Sequence, residues 1–299
     1  MSPIRVLVVD DSAFMRLTLS RRLAMEPDLE IIGTASDGHE AVAQVRALHP
    51  DVVTLDVEMP ELDGLGALAR IMAERPTPVI MVSSLTQAGA EITVRALTLG
   101  AVDYIAKPSQ VGGIQQMAKE LAAKIRQAAL TRVYRPSTSN KSFSAQRKKA
   151  NLRPLTPTDI VLAIGSSTGG PGALRQLLQD LAGDLNAAAV IVQHMPPVFT
   201  RSLAERLDEI SAWVVREAVA GDRLLCGQAL IAPGGYHLVV GRRDEVILTQ
   251  DPPVNHVRPA VDVMMCSAVE TYRKRVLGVV LTGMGQDGTQ GARLIREAG

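Results

Sequence analysis

Short apolar runs separated by stretches of helical periodicity recur along the whole chain, and this alternation restricts the fold more than any other feature of the sequence. In the first half the runs lie at 4–9, 51–55, 79–82 and 102–106, with a weaker one at 30–34. In the second half they lie at 160–164, 188–192, 213–216 and 276–281. Ser12 is placed to cap a helix in which Met15, Leu19 and Leu23 fall on one face. Ala41, Val42, Val45 and Leu48 mark the next, and a further helix runs from near Ala88 to a stop at Gly100. Ile114, Met117, Leu121 and Ile125 give the last helix of this half its buried stripe. Strands alternating with helices predict mainly parallel sheets covered on both faces, an α/β fold of two doubly wound domains.

The chain has 299 residues, room for two domains at about 100–200 residues each. The alternation breaks between 131 and 158, where seven Lys or Arg residues occur with prolines and serines and without Asp or Glu. Such a stretch reads as a linker, with docking onto an acidic partner or nucleic acid as the alternative. The expected organisation is a domain at 1–130, a basic linker at 131–158 and a second domain at 159–299. In the latter, 236–240 and 246–249 flank Gly-Arg-Arg-Asp and read as an edge hairpin. Pro171 opens a helix over 171–181, and Pro259 opens another that carries Val263, Met264 and Ala268.

Composition excludes several classes. A hydrophobic fraction of 46% with 21% charged residues is that of a globular protein, and a net charge of +1 gives no general attraction to nucleic acid or anionic membranes. Cys226 and Cys266 lack metal spacing and fit a reducing compartment as core residues. The N-terminal apolar run meets Asp10 and Asp11 at once, unlike a secretory signal, and nowhere is there a run of about 18 apolar residues. The expectation is a cytoplasmic protein without membrane insertion.

Ligands of open α/β sheets bind at the carboxyl ends of the strands. In the first half those ends carry Asp10 and Asp11, Asp56, Ser83, and Lys107 followed by Pro108. Clustered carboxylates repel one another and suit a hard cation such as Mg²⁺, which shares its shell with phosphate oxygens; a nearby ammonium can pair with a phosphoryl group. With these residues at matching strand ends, residues 1–127 resemble the receiver domain of two-component response regulators, a flavodoxin-like fold. The resemblance implies that Asp10, Asp11 and Asp56 bind Mg²⁺. It also implies that Asp56 accepts phosphate from a histidine kinase, that Ser83 and Lys107 sense the phosphoryl group, and that Tyr104 is an aromatic switch residue.

In the second half the run at 160–164 breaks into Gly165-Ser-Ser-Thr-Gly-Gly170. Gly165, Ser167 and Gly169 satisfy G-x-S-x-G, the spacing that lifts a serine out of a strand-to-helix turn. The next run ends in Gln193-His-Met-Pro-Pro197 and the last leads into Leu281-Thr-Gly-Met-Gly-Gln-Asp-Gly288. Ser167, His194 and Asp287 can therefore meet at one sheet rim as nucleophile, base and orienting acid. Met284, its neighbouring glycines and Thr168 are candidate oxyanion donors. The order Ser, His, Asp differs from that of α/β-hydrolases.

Receiver, linker and these three motifs in this order resemble the chemotaxis protein-glutamate methylesterases, the CheB family. The resemblance implies a Rossmann-like esterase domain that hydrolyses glutamate methyl esters on chemoreceptors and deamidates certain receptor glutamines. It implies phosphorylation by the chemotaxis histidine kinase through the receiver, with Mg²⁺ needed there and no cofactor for ester hydrolysis. The segment Asn255-His-Val-Arg-Pro-Ala260 also resembles family sequence and suggests Arg258 as a holder of substrate carboxylates. Because the family continues past the aspartate turn, the C-terminal part of the domain is expected to be missing here. A receiver joined to a DNA-binding output is the competing reading, but no recognition helix rich in Lys or Arg follows the linker.

Overall fold

The computed structural model describes residues 2–84, 86–108, 111–131 and 149–299, side chains of 87 and 111 excepted, and divides into a unit over Met1–Lys141 and another over Ser142–Gly299. The first unit carries β1 (Ile4–Val9), α1 (Ala13–Leu23), β2 (Leu29–Ala35), α2 (Gly38–Leu48) and β3 (Val52–Asp56). It continues with α3 (Gly64–Glu74), β4 (Val79–Ser83), α4 (Gln87–Leu99), β5 (Asp103–Ala106) and α5 (Ile114–Ala129). All strand pairs are parallel, in the order β2-β1-β3-β4-β5. Every residue of β3 and β4 is buried, as continuous apolar strands covered on both faces must be. One core joins Val6, Val8, Ile80 and Val82 to Leu19 and Leu23 of α1 and to Met117, Leu121 and Ile125 of α5, the stripe that the periodicity predicts.

Four of these helices begin with a local cap. Ser12, Asp37, Asp63 and Thr86 each accept a hydrogen bond from the backbone N–H three residues on, at 3.4, 2.9, 2.7 and 3.0 Å. Each satisfies one of the N–H groups that a helix start leaves without an internal partner.

The second unit begins with β6 (Arg153–Pro154), β7 (Ile160–Ser166), α6 (Gly170–Asp180), β8 (Ala187–Gln193), α7 (Pro197–Ile210) and β9 (Val214–Glu217). Then come β10 (Leu225–Cys226), β11 (Gln228–Ile231), β12 (His237–Val240), β13 (Val246–Thr249), α8 (Val261–Tyr272), β14 (Val276–Val280) and α9 (Thr289–Ala298). Its main sheet is parallel, in the order β14-β7-β8-β11-β9. Helix α6 packs against α7, while α8 packs against α9 and beneath β7, β8 and β14.

Three sequence expectations change here. Strand β11 was not expected, although it sits between β8 and β9; it is only four residues long and opens on Gln228, so its pattern is too short to stand out. The hairpin of β12 and β13 is not an edge of the main sheet but a separate antiparallel pair packed on α8. Finally, the expected linker reaches too far. Residues 132–148 lie outside the described residues, but 149–158 belong to the second unit. There Lys149 Nζ donates to Asp208 Oδ1 at 2.7 Å, β6 pairs with β10, and Arg153 grips buried Asp159 through two bonds of 2.6 and 3.0 Å. That guanidinium holds the Asp159 carboxyl well below the usual range. Lys149 and Arg153, assigned above to the linker, therefore serve as ion-pair partners within the second unit.

Candidate active site

In the first sheet the strand order reverses between β1 and β3, and the residues just past those strands face the resulting crevice. Asp10 and Asp56 are 1% and 2% exposed. Lys107 Nζ donates to Asp56 Oδ2 at 2.6 Å and lies 3.1 Å from Asp10 Oδ2. Burial pushes the Asp56 carboxyl up to about 6; the Lys107 hydrogen bond and charge oppose the rise, and the charge of Asp10 adds to it. Burial acts on the Lys107 ammonium in the other direction, but Asp56 and Asp10 reverse its effect and hold the group above its ordinary value.

Asp10, Asp11 and Asp56 each offer an oxygen to a common point, all within 4.8 Å of one another, and Asp10 Oδ2 is buried with Lys107 as its ionic neighbour and no hydrogen bond among the described residues. Three carboxylates against one ammonium, with a lone pair to spare, fit a hard divalent cation. Ser83 stands at the same rim, but its hydroxyl donates to the carbonyls of Ser84 and Gly89 at 3.3 and 3.2 Å. Tyr104 is buried, with Lys124 Nζ 5.7 Å from its ring centre.

The second sheet reverses between β7 and β14, with β8 alongside. This order brings together three turns remote in sequence. Ser167 N donates to Thr282 O at 3.0 Å, Leu281 N to Gly165 O at 2.9 Å, and His194 N to Ser166 O at 3.1 Å. Ser167, His194, Met284 and Asp287 all line one cavity of about 90 Å³. Close approach explains two of the glycines. A Cβ on Gly283 would come within 2.8 Å of Ser167 Cβ, and one on Gly165 within 2.3 Å of Val261 Cγ1.

His194 Nε2 and Asp287 Oδ2 are 2.8 Å apart. Asp287 Oδ2 also accepts from Val261 N at 2.6 Å, and Oδ1 from Asp262 N and Asn255 Nδ2 at 3.0 Å each. Burial alone would raise this carboxyl; the hydrogen bonds from His194, the two amides and Asn255 outweigh it and hold the group below 3.8. An ionised carboxylate only accepts, so the imidazole donates from Nε2 and its Nδ1 is left as the basic nitrogen. Because Val261 and Asp262 open α8, Asp287 also caps that helix from 25 residues away. Asp262 Oδ1 in turn accepts from Gly291 N in the first turn of α9 at 2.8 Å.

Both adjacent serines line the cavity, but Ser166 is buried and its hydroxyl donates to Gln193 Oε1 at 2.7 Å. Gln193 Nε2 donates to Ser167 O at 2.9 Å, tying the end of β8 to the serine turn. Neither Gln193 nor Asn255 was expected as a site residue, although each lies within a sequence motif already singled out. Two expected residues are not brought in. Thr168 is buried away from the cavity walls, its carbonyl accepting from Thr282 Oγ1 at 3.0 Å. Arg258 Nη1 donates to the carbonyls of Gln250 and Asp251 at 2.7 and 2.8 Å, so its guanidinium braces its own loop.

Comparison with known proteins agrees with this architecture. The family model for the CheB methylesterase matches residues 162–299 and that for the response regulator receiver domain matches 6–119. A protein-glutamate methylesterase/protein-glutamine glutaminase of Symbiobacterium thermophilum is 51% identical over 99% of this chain and 85% of its own length. One of Pyrococcus abyssi is 46% identical over 99% and 82%. A crystal structure of the Thermotoga maritima CheB methylesterase catalytic domain is similar at 43% identity over 47% of this chain and 76% of that one, with a TM-score of 0.45. With two parallel α/β units matched in this order and relatives this similar over almost its whole length, the chain belongs to the CheB methylesterase family.

Proposed function

We propose that the chain is a phosphorylation-regulated serine hydrolase that removes methyl esters from glutamate residues of chemoreceptors and deamidates receptor glutamines. The observation that carries the reading is the contact between His194 and Asp287 at the cavity bordered by Ser167. Ser167 Oγ attacks the ester carbonyl carbon while His194 Nδ1 takes its proton, and Asp287 stabilises the imidazolium. Backbone N–H groups of the turn around Met284 face the developing oxyanion. The C–O bond to the methoxy group then breaks, and methanol leaves with the proton held by His194. Water attacks the acyl-enzyme with His194 again as base, and the carboxylate and Ser167 are regenerated. With glutamine the leaving group is ammonia.

In the receiver, the carboxylate of Asp56 is the nucleophile toward phosphohistidine of a chemotaxis kinase, and Lys107 is placed to pair with the transferred phosphoryl group. Asp10, Asp11 and Asp56 would hold Mg²⁺, which when bound neutralises charge on the phosphoryl oxygens. Ser83 and Tyr104 would respond to the phosphoryl group. We assign the reaction to the cytoplasm; among the described residues no helix is long and apolar enough to cross a membrane.

The test is methanol release from methylated receptors by the full chain, with and without beryllium fluoride and Mg²⁺. Ser167→Ala is expected to lower the rate by roughly a thousandfold or more. The fluoride complex should raise the wild-type rate and leave Asp56→Asn unchanged. Hydrolysis by Ser167→Ala at the wild-type rate would remove the nucleophile, and indifference of the wild type to fluoride would remove the regulation.

A further inference from the structure

Asn255 and His256 have φ of 52° and 66°, two successive left-handed residues between Val254 and Val257. The flanking residues exchange backbone hydrogen bonds of 3.2 and 3.0 Å, making a tight two-residue hairpin turn. Asparagine is one of the few side-chain-bearing residues that tolerates such a position, so a turn-forming role would explain its presence. The side chain does more than that role needs. Its single amide nitrogen reaches Asp287 Oδ1 and Asp262 Oδ2, both at 3.0 Å, and so directs one N–H to each of two carboxylates.

We infer that Asn255 is a positioning residue, whose amide holds apart the carboxylates of Asp262 and Asp287 and aims Asp287 at His194. The inference rests on the catalytic reading given above. Asp262 is 6% exposed and the Asp287 side chain 4%, so the two acids are screened little by water. The titratable groups facing Asp287 are His194 beyond β8 and, on α8, Asp262 and Cys266. None of these is a permanent cation, so Asn255 and the two backbone amides separate the acids by donation alone. Without the Asn255 amide, Asp287 turns an uncompensated charge on the imidazole, and its Oδ1 loses a strut that keeps Oδ2 on Nε2. Such a loss favours imidazolium, the form that cannot act as base.

Glycine takes the same left-handed conformation without strain, which separates the turn from the amide. Full-length Asn255→Gly is expected to lower kcat for methanol release from methylated receptors about tenfold while KM changes less than twofold. The acid limb of its kcat/KM profile should move up by about half a pH unit or more. Asn255→Asp keeps turn and volume but replaces the donor with a third carboxylate, and should shift the limb further. A wild-type kcat and acid limb in either variant would overturn the inference and leave a turn former only. Ser167→Ala in the same assay separates the two levels. If it retains hydrolysis the catalytic reading fails, whereas if it is inactive and Asn255→Gly behaves as wild type, the inference alone fails.

Discussion

The two sheets gather polar side chains at the same point, where strand order reverses, but treat the buried carboxylate there in opposite ways. Asp56 is buried among acids with one ammonium to answer them, and its carboxyl is pushed up to about 6. The Asp287 side chain is also withdrawn from solvent, yet a ring, a side-chain amide and two helix-start amides hold it below 3.8. The first arrangement keeps acids under a mutual repulsion that a divalent cation would relieve. In the second, the protein itself supplies four donors to the charge, one of them the His194 ring. One fold therefore supports either a receptive or a pre-organised rim, and the choice depends on how many donors converge on the acid.

The largest effect that can break this comparison is on turnover. Asp287→Asn sets an NH₂ group against donors that now share a carboxylate, and should lower kcat for ester hydrolysis by about 10⁴, with an analogous serine triad as guide. A loss under tenfold would show that the acid's charge is not what the rim exploits. Stability is the next test, and its sign should differ between the units. Because folding raises Asp56, the wild type loses stability as pH rises from about 4 to about 6. Without divalent cation, Asp56→Asn should therefore stabilise the receiver unfolding transition above pH 6 by about 1–3 kcal/mol, and the gain should vanish below pH 4.

Folding lowers Asp287, so its contribution is present above 3.8 and disappears as pH falls through the depressed value. Asp287→Asn should accordingly destabilise the second unit at neutral pH, and less so in acid. Calorimetry of both variants in EDTA decides; equal signs would dissolve the contrast. The smallest effect concerns the caps. Asp63→Ala removes a local bond to Gly66 N and should cost the receiver about 1 kcal/mol without altering basal ester hydrolysis. A change in hydrolysis would mean that the local caps of the first unit are not confined to its stability.

Local features were readable in the residues alone. The strands of the first sheet, the Ser12 cap and the stop at Gly100 all follow from periodicity and backbone preferences over a few residues. The motif spacing also separates Ser167 from Ser166, whose hydroxyl donates to Gln193 Oε1. What escaped was whatever depends on a partner far along the chain. Strand β11 is a four-residue run recognisable only by its neighbours. Lys149 and Arg153 fell within the expected linker because their partners Asp208 and Asp159 are not signalled by the residues around them. Within the segment whose family resemblance suggests Arg258 as a holder of substrate carboxylates, that guanidinium donates to the Gln250 carbonyl, while Asn255, three residues earlier, makes the bond to Asp287.

The amino-acid sequence by itself determined two α/β units, the residues at the ends of their strands and the family to which they point, because short-range pattern and turn chemistry are written in adjacent residues. Only the tertiary structure decided which turns meet. Strand order brings the loops after β7, β8 and β14 to one rim, makes Asp287 the cap of a helix that starts 26 residues before it, and hands Asn255 the space between two acids. Hydrogen bonds act over about 3 Å of space whatever the separation along the chain, so no periodicity records them.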